Sequence, residues 1–151
     1  MKIRRAELGD VKKISQLKKK TIEIINTEYN KKQLNVLRKD YSIENIKKNV
    51  ESREVFCLVD GEDILGVTDL KNDKIGSLFV RHDSVGKGYG GKLLNFIENY
   101  AKRKRVRKVW LYSTPYAKEF YLNKGFKIVD KGIWINRGIK FPEVKMEKNL
   151  K

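Results

Sequence analysis

A glycine-rich turn at residues 85–91 (VGKGYGG) constrains the fold of this 151-residue chain more than any other feature. It separates a strand-like run, residues 74–81, from a helical pattern in which Leu93, Leu94 and Ile97 share one face. Glycines let successive backbone N–H groups surround a phosphate, and a helix that begins there adds the positive end of its dipole. The turn therefore predicts a phosphate-binding loop between a strand and a helix.

Taken alone, the turn is compatible with more than one nucleotide-binding loop. Gly86, Gly88 and Gly91 have the spacing of the dinucleotide fingerprint, and Gly86 with Gly91-Lys92 supplies most of a P-loop. Both loops lie between a strand and a helix, so the local context does not separate them. A P-loop, however, needs Ser or Thr after its lysine to hold magnesium, and Leu93 stands there.

The strand that follows the helix argues against both of these loops. A dinucleotide-binding fold places an acidic residue about 20 positions after its glycines to hold the ribose. A nucleotide hydrolase also needs an acidic residue at the end of a nearby apolar strand. Here the strand at 109–112 ends in Ser113-Thr114, and the glycine turn follows three hairpin-linked strands instead of opening an alternating β-α series. The turn is therefore assigned to neither class.

Capping and turn signals divide the rest of the chain. Asp10 is a predicted N-cap for a helix that continues to Ile25, and Ser42 is predicted to cap a second helix. Residues 26–40 are expected to be part helix and part loop. Thr114-Pro115 is predicted to begin a short helix that Gly125 ends. Strands are predicted at 54–59, 64–70, 74–81, 106–112, 126–135 and 141–146, after a short leading strand.

The predicted element order is β-α-α-β-β-β-α-β-α-β-β. This order describes an α/β (α+β) fold, a mixed sheet with helices on both faces. The strand, glycine turn, helix and next strand form a right-handed crossover, which predicts that the two strands around it are parallel. Short turns join the other consecutive strands, so these should be antiparallel neighbours.

Length and composition are those of one domain spanning residues 1–151. No run approaches the ~18 apolar residues of a membrane span, and a cytoplasmic protein without membrane contact is expected. Cys57, the single cysteine, lies in an apolar run and is expected to be a core residue. The formal charge of +16 favours anionic partners, nucleic acid among them, although a lysine-rich solvated surface explains it equally well. A monomer and a homodimer are both compatible with the chain.

Two segments resemble the hallmarks of the GNAT superfamily of acyl-CoA-dependent N-acetyltransferases. Residues 78–94 (LFVRHDSVGKGYGGKLL) are similar to its pyrophosphate-binding motif. Residues 114–126 (TPYAKEFYLNKGF) are similar to its second motif, a helix that carries a tyrosine and ends in Gly-Phe. The resemblance covers nearly the whole chain. It implies a mostly antiparallel sheet of about seven strands with about four helices, and acetyl-CoA as cosubstrate without a metal ion.

The resemblance also implies which residues contact coenzyme A. A bulge at the end of the first crossover strand would free backbone groups near Phe79 and Val80 to pair with the pantetheine arm, and the Val80 N–H would polarise the thioester carbonyl. The family usually has Gln or Arg where Val85 stands, so this loop is expected to hold pyrophosphate chiefly through its backbone. The expected contacts are Leu78, Phe79, Val80, Val85, Gly86, Lys87, Gly88, Tyr89, Gly90, Gly91, Thr114 and Tyr121.

By the same resemblance, Tyr121 is the candidate general acid that protonates the departing thiolate; packing beside Phe120 and Phe126 is the alternative role. The attacking amine must be neutral, and the sequence names no convincing base. Asp69 is a weak candidate for it, since a surface charge would explain this residue as well. Cys57 is not a credible acyl carrier, so direct transfer in a ternary complex is expected.

The acceptor of the acetyl group is less constrained. The family's acceptor site implies residues 21–50 and 132–142 here, in which Tyr29, Tyr41 and Trp134 could line a pocket. Small amines, protein N-termini, lysine side chains and antibiotics all remain possible acceptors. A GNAT-like module that binds coenzyme A or nucleic acid without acyl transfer is the competing hypothesis.

Overall fold

Seven strands and five α-helices make up the computed structural model, which describes residues 1–24 and 29–151. The strands are β1 (Lys2–Arg5), β2 (Glu54–Asp60), β3 (Asp63–Lys71), β4 (Lys74–Val80), β5 (Lys108–Ser113), β6 (Lys127–Asn136) and β7 (Ile139–Asn149). The helices are α1 (Val11–Ile24), α2 (Lys31–Asp40), α3 (Ile43–Ser52), α4 (Tyr89–Arg103) and α5 (Lys118–Asn123). Among the described helices, none is long and apolar enough to cross a bilayer.

The strands form one sheet in the order β1-β2-β3-β4-β5-β7-β6. Every neighbouring pair is antiparallel except β4 and β5, the two strands joined through α4, which are parallel as predicted. The pairing of β4 with β5 consists of Lys74 opposite Trp110 alone. Beyond that position the two strands separate, and the sheet opens between their carboxyl ends.

Alternation along the strands divides the core into two faces. On β2, Val55 and Cys57 pack toward α1 and α3, whereas Phe56 packs toward α4. Ile75 of β4 and Leu94 of α4 belong to the second of these clusters. The predicted class, a mixed sheet with helices on both faces, is therefore confirmed. We call the side of the sheet that α1–α3 cover the α1 face.

A bulge interrupts β4, although not where the sequence predicts it. The register of β3 and β4 shifts between Thr68 and Leu70, so Gly76 and Ser77 together oppose Asp69. The expected position was the end of the strand near Val80, which instead stays paired with β3. The bulge lies where Asp69 needs room: a Cβ on Gly76 would sit 2.1 Å from Asp69 Oδ1. A side chain at this position would displace the Asp69 carboxylate and the Arg53 guanidinium.

The helix boundaries differ from prediction in two places. Asp10 lies in a 3-10 turn before α1, where its carboxylate accepts the Glu7 N–H at 2.8 Å and pairs with Arg4, so it is not a simple N-cap. Residues 31–40 form a full helix, α2, because Asn30 and Gln33 make a reciprocal capping box. Ile25 and residues 26–28 of the predicted elements lie outside the described residues.

Candidate functional site

The gap between β4 and β5 is the centre of the candidate site. Arg81 donates its backbone N–H to Leu65 of β3 at 2.8 Å. Because successive residues of a strand direct their backbone groups to opposite neighbours, Val80 and Leu78 direct theirs away from β3, toward the gap. The predicted pantetheine-binding stretch thus faces the opening, although the bulge lies two residues upstream.

The glycine turn adjoins this gap and ends at the amino terminus of α4. Gly86 and Gly88 have φ angles of +85° and +82°, which favour glycine, and Gly88 is the N-cap of the helix. The N–H groups of Tyr89, Gly90 and Gly91 form the first helical turn and have no intrahelical acceptor. Such a turn presents several donors and the positive end of the dipole to an anion.

Close packing joins the turn to β4 and α5. A Cβ on Gly90 would lie 3.4 Å from Phe120 Cζ and 3.7 Å from Leu78 Cδ2, so this position of the turn is in van der Waals reach of both. Thr114 directly follows β5, and its hydroxyl accepts the Ala117 N–H at 3.1 Å. Thr114 therefore caps the turn that precedes α5, one turn earlier than the helix itself begins. The two sequence motifs meet at the mouth of the gap.

Lys124, which the sequence analysis did not single out, lies over the glycine turn. A Cβ on Gly91 would sit 3.1 Å from its Nζ. This ammonium therefore lies beside the first turn of α4, to which Gly91 belongs. The backbone of Lys124 is anchored, because its carbonyl accepts Lys148 Nζ at 2.8 Å. Val85, by contrast, is 54% exposed and offers only an aliphatic side chain.

Tyr121 is buried on α5 between aromatic neighbours. Its ring meets Phe120 and Phe126 edge-to-face, with centroids 5.2 and 5.6 Å away. Burial raises the pKa of the phenol above its usual value, so the hydroxyl stays protonated at neutral pH. The structure thus places Tyr121 both in an aromatic cluster and at the α5 segment that packs against the glycine turn.

Asp69 lies on the α1 face and is not a surface charge. It is 4% exposed, and its Oδ1 is 2.8 Å from both Nε and Nη2 of Arg53. Ser77 donates its hydroxyl to Oδ2 at 3.0 Å. The carboxylate is therefore fully engaged by the two groups that flank the bulge of β4.

A buried lysine, Lys18, lies beside the Asp69 and Arg53 ion pair, and nothing in the sequence singles it out. Lys18 of α1 is 5% exposed, and its Nζ lies 3.3 Å from Ser77 Oγ and 5.2 Å from the centre of the Phe79 ring. Desolvation lowers the pKa of this ammonium, while the charge of Asp69 raises it. The sequence around Lys18, between Leu17 and Ile22, gives no sign of its burial, because a lysine is almost always solvent-exposed.

Three aromatic residues were predicted to line an acceptor pocket. Tyr41 meets Phe79 edge-to-face at 5.5 Å, and both Tyr29 and Trp134 contact Phe141 of β7, at 5.9 and 5.2 Å. All of them lie on the α1 face, beside the gap. Trp134 is 42% exposed, which leaves its ring free to meet a ligand.

Comparison with known proteins is decisive at the level of family. The family described as "Acetyltransferase (GNAT) domain" matches residues 25–150. No curated protein is significantly similar in sequence. Solved structures are similar in fold, beginning with a GCN5-related N-acetyltransferase from Rhodopseudomonas palustris (TM-score 0.93, 18% identity, covering 99% of this chain and 95% of that one).

Two further structures are those of proteins bound to the expected ligand. PaiA N-acetyltransferase from Thermoplasma acidophilum, in complex with coenzyme A, superposes with a TM-score of 0.81 at 18% identity and covers 98% of both chains. YncA from Salmonella typhimurium, a putative acetyltransferase with acetyl-CoA, gives 0.74 at 17% identity over 100% of this chain and 94% of its own. At these identities the likeness concerns the fold. The family match over most of the sequence shows that this chain belongs to the GNAT acetyltransferases.

Proposed function

We propose that this enzyme transfers the acetyl group of acetyl-CoA to a primary amine, by direct attack within a ternary complex. The observation that carries the proposal is the opening of β4 from β5 beside a glycine turn that begins α4. An extended pantetheine arm can add to the free edge of β4 as a strand would. The acceptor then approaches from the α1 face, where the aromatic residues lie.

The residues of the turn fit a pyrophosphate. Three first-turn N–H groups and the helix dipole provide the binding, since Val85 has no polar atom to add. Lys87 and Lys124 bring positive charge to the same place. In this assignment Leu78, Phe79 and Val80 bind the pantetheine arm along the β4 edge, Thr114 contacts it from the end of β5, and the turn from Val85 to Gly91 holds the phosphates.

Two groups would stabilise the reaction itself. The Val80 N–H faces the gap and would donate to the thioester oxygen as negative charge develops there. One such donor contributes a factor of about 10²–10³ in comparable sites. Tyr121 would give its proton to the leaving thiolate. Its raised pKa keeps that proton available at neutral pH.

Asp69 would need to release Arg53 or Ser77 before it could accept a proton. We therefore assign it a positioning role, in which it holds the bulge of β4 and Lys18 beneath Phe79. Direct transfer is favoured because Cys57 is fully buried on β2 and burial raises the pKa of its thiol to about 12, which keeps it protonated. An acetylated Cys57 trapped during turnover would contradict this mechanism.

The test of the function is thiol release from acetyl-CoA over a panel of primary amines. Turnover with any acceptor supports the proposal. The competing hypothesis, a binding module, rests on the net charge of +16. It predicts no turnover together with RNA binding that weakens steeply as salt is raised.

A Lys124→Met variant should raise the KM for acetyl-CoA about fivefold while kcat changes little. The reason is that an exposed ammonium beside the first turn of α4 strengthens phosphate binding modestly and is screened by salt. The measurement is the KM for acetyl-CoA at low and at physiological ionic strength, where the difference between variant and wild type should shrink.

The matched control is Lys102→Met, at the opposite end of α4. A second substitution tests the same ammonium, because the Cβ added in Gly91→Ala would displace Lys124 Nζ. This substitution should therefore raise KM less in the Lys124→Met background than in the wild type. Equal KM values for Lys124→Met and the wild type would remove Lys124 from the phosphate site.

A further inference from the structure

Glu143 is a carboxylate on the acceptor side of the gap, and it is unpaired within residues 1–24 and 29–151. It lies on β7 one residue before Val144, which pairs with Ser113, the last residue of β5. Lys74 of β4 lies opposite Trp110 of β5, and β4 contains one extra residue at its bulge. If both strands are followed from that pair, Glu143 is level with Phe79 across the gap. Phe79 adjoins Val80, the residue proposed to hold the thioester.

The side chain of Glu143 projects to the α1 face. Phe141, two residues earlier on the same strand, packs there with Ile22 and Val36. Residues two apart on a regular strand share a face, and the pairing of β7 with β5 is regular throughout. Glu143 is thus on the side from which the acceptor would approach.

No partner satisfies this carboxylate among the residues that the structure describes: it has neither a hydrogen bond nor an ion pair within 4.0 Å. Glu147, two alternations further along β7, is different, since Lys108 and Lys127 each lie 3.7 Å from its Oε1. The space beside Glu143 on the β6 side is open. Its cross-strand neighbour is Gly132, where an added Cβ would meet nothing within 4 Å.

Two exposed aromatic residues flank this open space. Tyr112 of β5 is 45% exposed and shares the α1 face, because it pairs with Lys145. Trp134 of β6 is 42% exposed on the same face, two residues beyond Gly132. The ammonium of Lys74 lies 5.1 Å from the centre of the Tyr112 ring, so this ring already attracts one cation. The Glu143 carboxylate and the exposed ring of Trp134 remain as a setting for a second ammonium group, which both an anion and a ring face attract.

We propose that Glu143 binds the ammonium group of the acceptor and accepts its proton, and that the acceptor is therefore a primary alkylamine. This inference rests on the proposed acetyltransferase function. One N–H bond of the ammonium breaks and its proton passes to the carboxylate. The neutral nitrogen attacks the thioester carbon, the C–S bond breaks, and the thiolate takes a proton from Tyr121. The second proton of the nitrogen reaches solvent, from which Tyr121 is reprotonated, and Glu143 releases the first proton to solvent. The products are amide, thiol and one proton.

The electrostatic surroundings agree with this role. Burial raises the pKa of Glu143 above its usual value, while the charge of Lys74 opposes the rise. A carboxylate in this state accepts a proton more readily than one in water. Among the described residues, the titratable groups that share its face are Lys74 on β4, Lys108 and Tyr112 on β5, Lys127 and Asp130 on β6, and Lys145 and Glu147 on β7. Lys18 of α1 lies on the same face, beside Phe79.

The experiment compares Glu143→Gln with Glu147→Gln as the matched control. With an alkylamine acceptor at pH 7, Glu143→Gln should lower kcat/KM about 100-fold, at the low end for general base catalysis because water can substitute in part. In a plot of kcat/KM against pH, the fall in rate on the acid side should shift in the variant toward the pKa of the free amine, about 10.4 for a lysine-like group. We call this part of the profile its acid limb. With an arylamine acceptor, which is already neutral at pH 7, the variant should stay within about twofold of the wild type.

The alternatives are separated by the same data. Equal losses with both acceptors, or an unshifted acid limb, would overturn the role of Glu143 even though the enzyme is active. A wild type that releases no thiol with any acceptor would instead refute the proposed function itself. Coenzyme A binding, measured by calorimetry, should be unchanged in Glu143→Gln, which shows that the variant is folded.

Discussion

Tyr121→Phe should lower kcat by about 100-fold while the KM for acetyl-CoA stays nearly constant. The substitution removes only the hydroxyl, so the ring keeps its contacts with Phe120 and Phe126 and the fold is preserved. A general acid such as the lost hydroxyl raises the rate by a factor of about 10²–10⁴ in comparable reactions. Steady-state kinetics with a saturating amine measures the effect.

Tyr116→Phe is the matched control, because Tyr116 precedes the same helix and is 56% exposed. It should behave as the wild type. An acceptor-independent test adds to this: a substrate with a more acidic thiol leaving group should recover much of the rate in Tyr121→Phe, since it leaves without a proton. If kcat is unchanged, Tyr121 is a packing residue and the proton comes from elsewhere.

The second large effect concerns stability. Asp69→Ala should lower the free energy of unfolding by about 3–5 kcal/mol, because removal of one partner leaves the other charge of a buried ion pair uncompensated. Lys18 would lose the favourable charge of Asp69 as well. Urea unfolding followed by circular dichroism gives the difference directly.

Asp83→Ala is the control for the loss of a carboxylate. Its ion pair with Arg81 is on the surface, so stability should be almost unaffected. The double variant Asp69→Leu with Arg53→Met, which replaces the pair by apolar side chains, should recover part of the loss. An Asp69→Ala protein as stable as the wild type would mean that water replaces the lost carboxylate.

Several features were predictable because they depend on local chemistry. Gly86 and Gly88 need positive φ angles, Ser42 accepts the Asn45 N–H at the start of α3, and Gly125 ends α5 at φ +93°. Each of these follows from the properties of one residue and its near neighbours. The parallel relation of β4 and β5 was predictable too, since the hand of the crossover is almost invariant.

The bulge and the capping of α1 were predicted incorrectly. Asp10 is drawn into a pair with Arg4, a residue of another element, at 2.8 Å. The bulge lies at Gly76 because Asp69 and Arg53 require space there, and Arg53 comes from the end of α3. Neither partner can be read from the local pattern.

The glycine turn and the Tyr121 motif by themselves determined the family, because phosphate binding and the end of a short helix require particular residues at fixed spacing. Only the tertiary structure decided which charged side chains serve the site. Asp69 is engaged, Glu143 has no hydrogen-bond or ion-pair partner among the described residues, and Lys124 reaches Gly91 from 33 positions away in the chain. The physical reason is that a charge acts through its distance to partners and its exposure to water, and both are set when distant segments pack together.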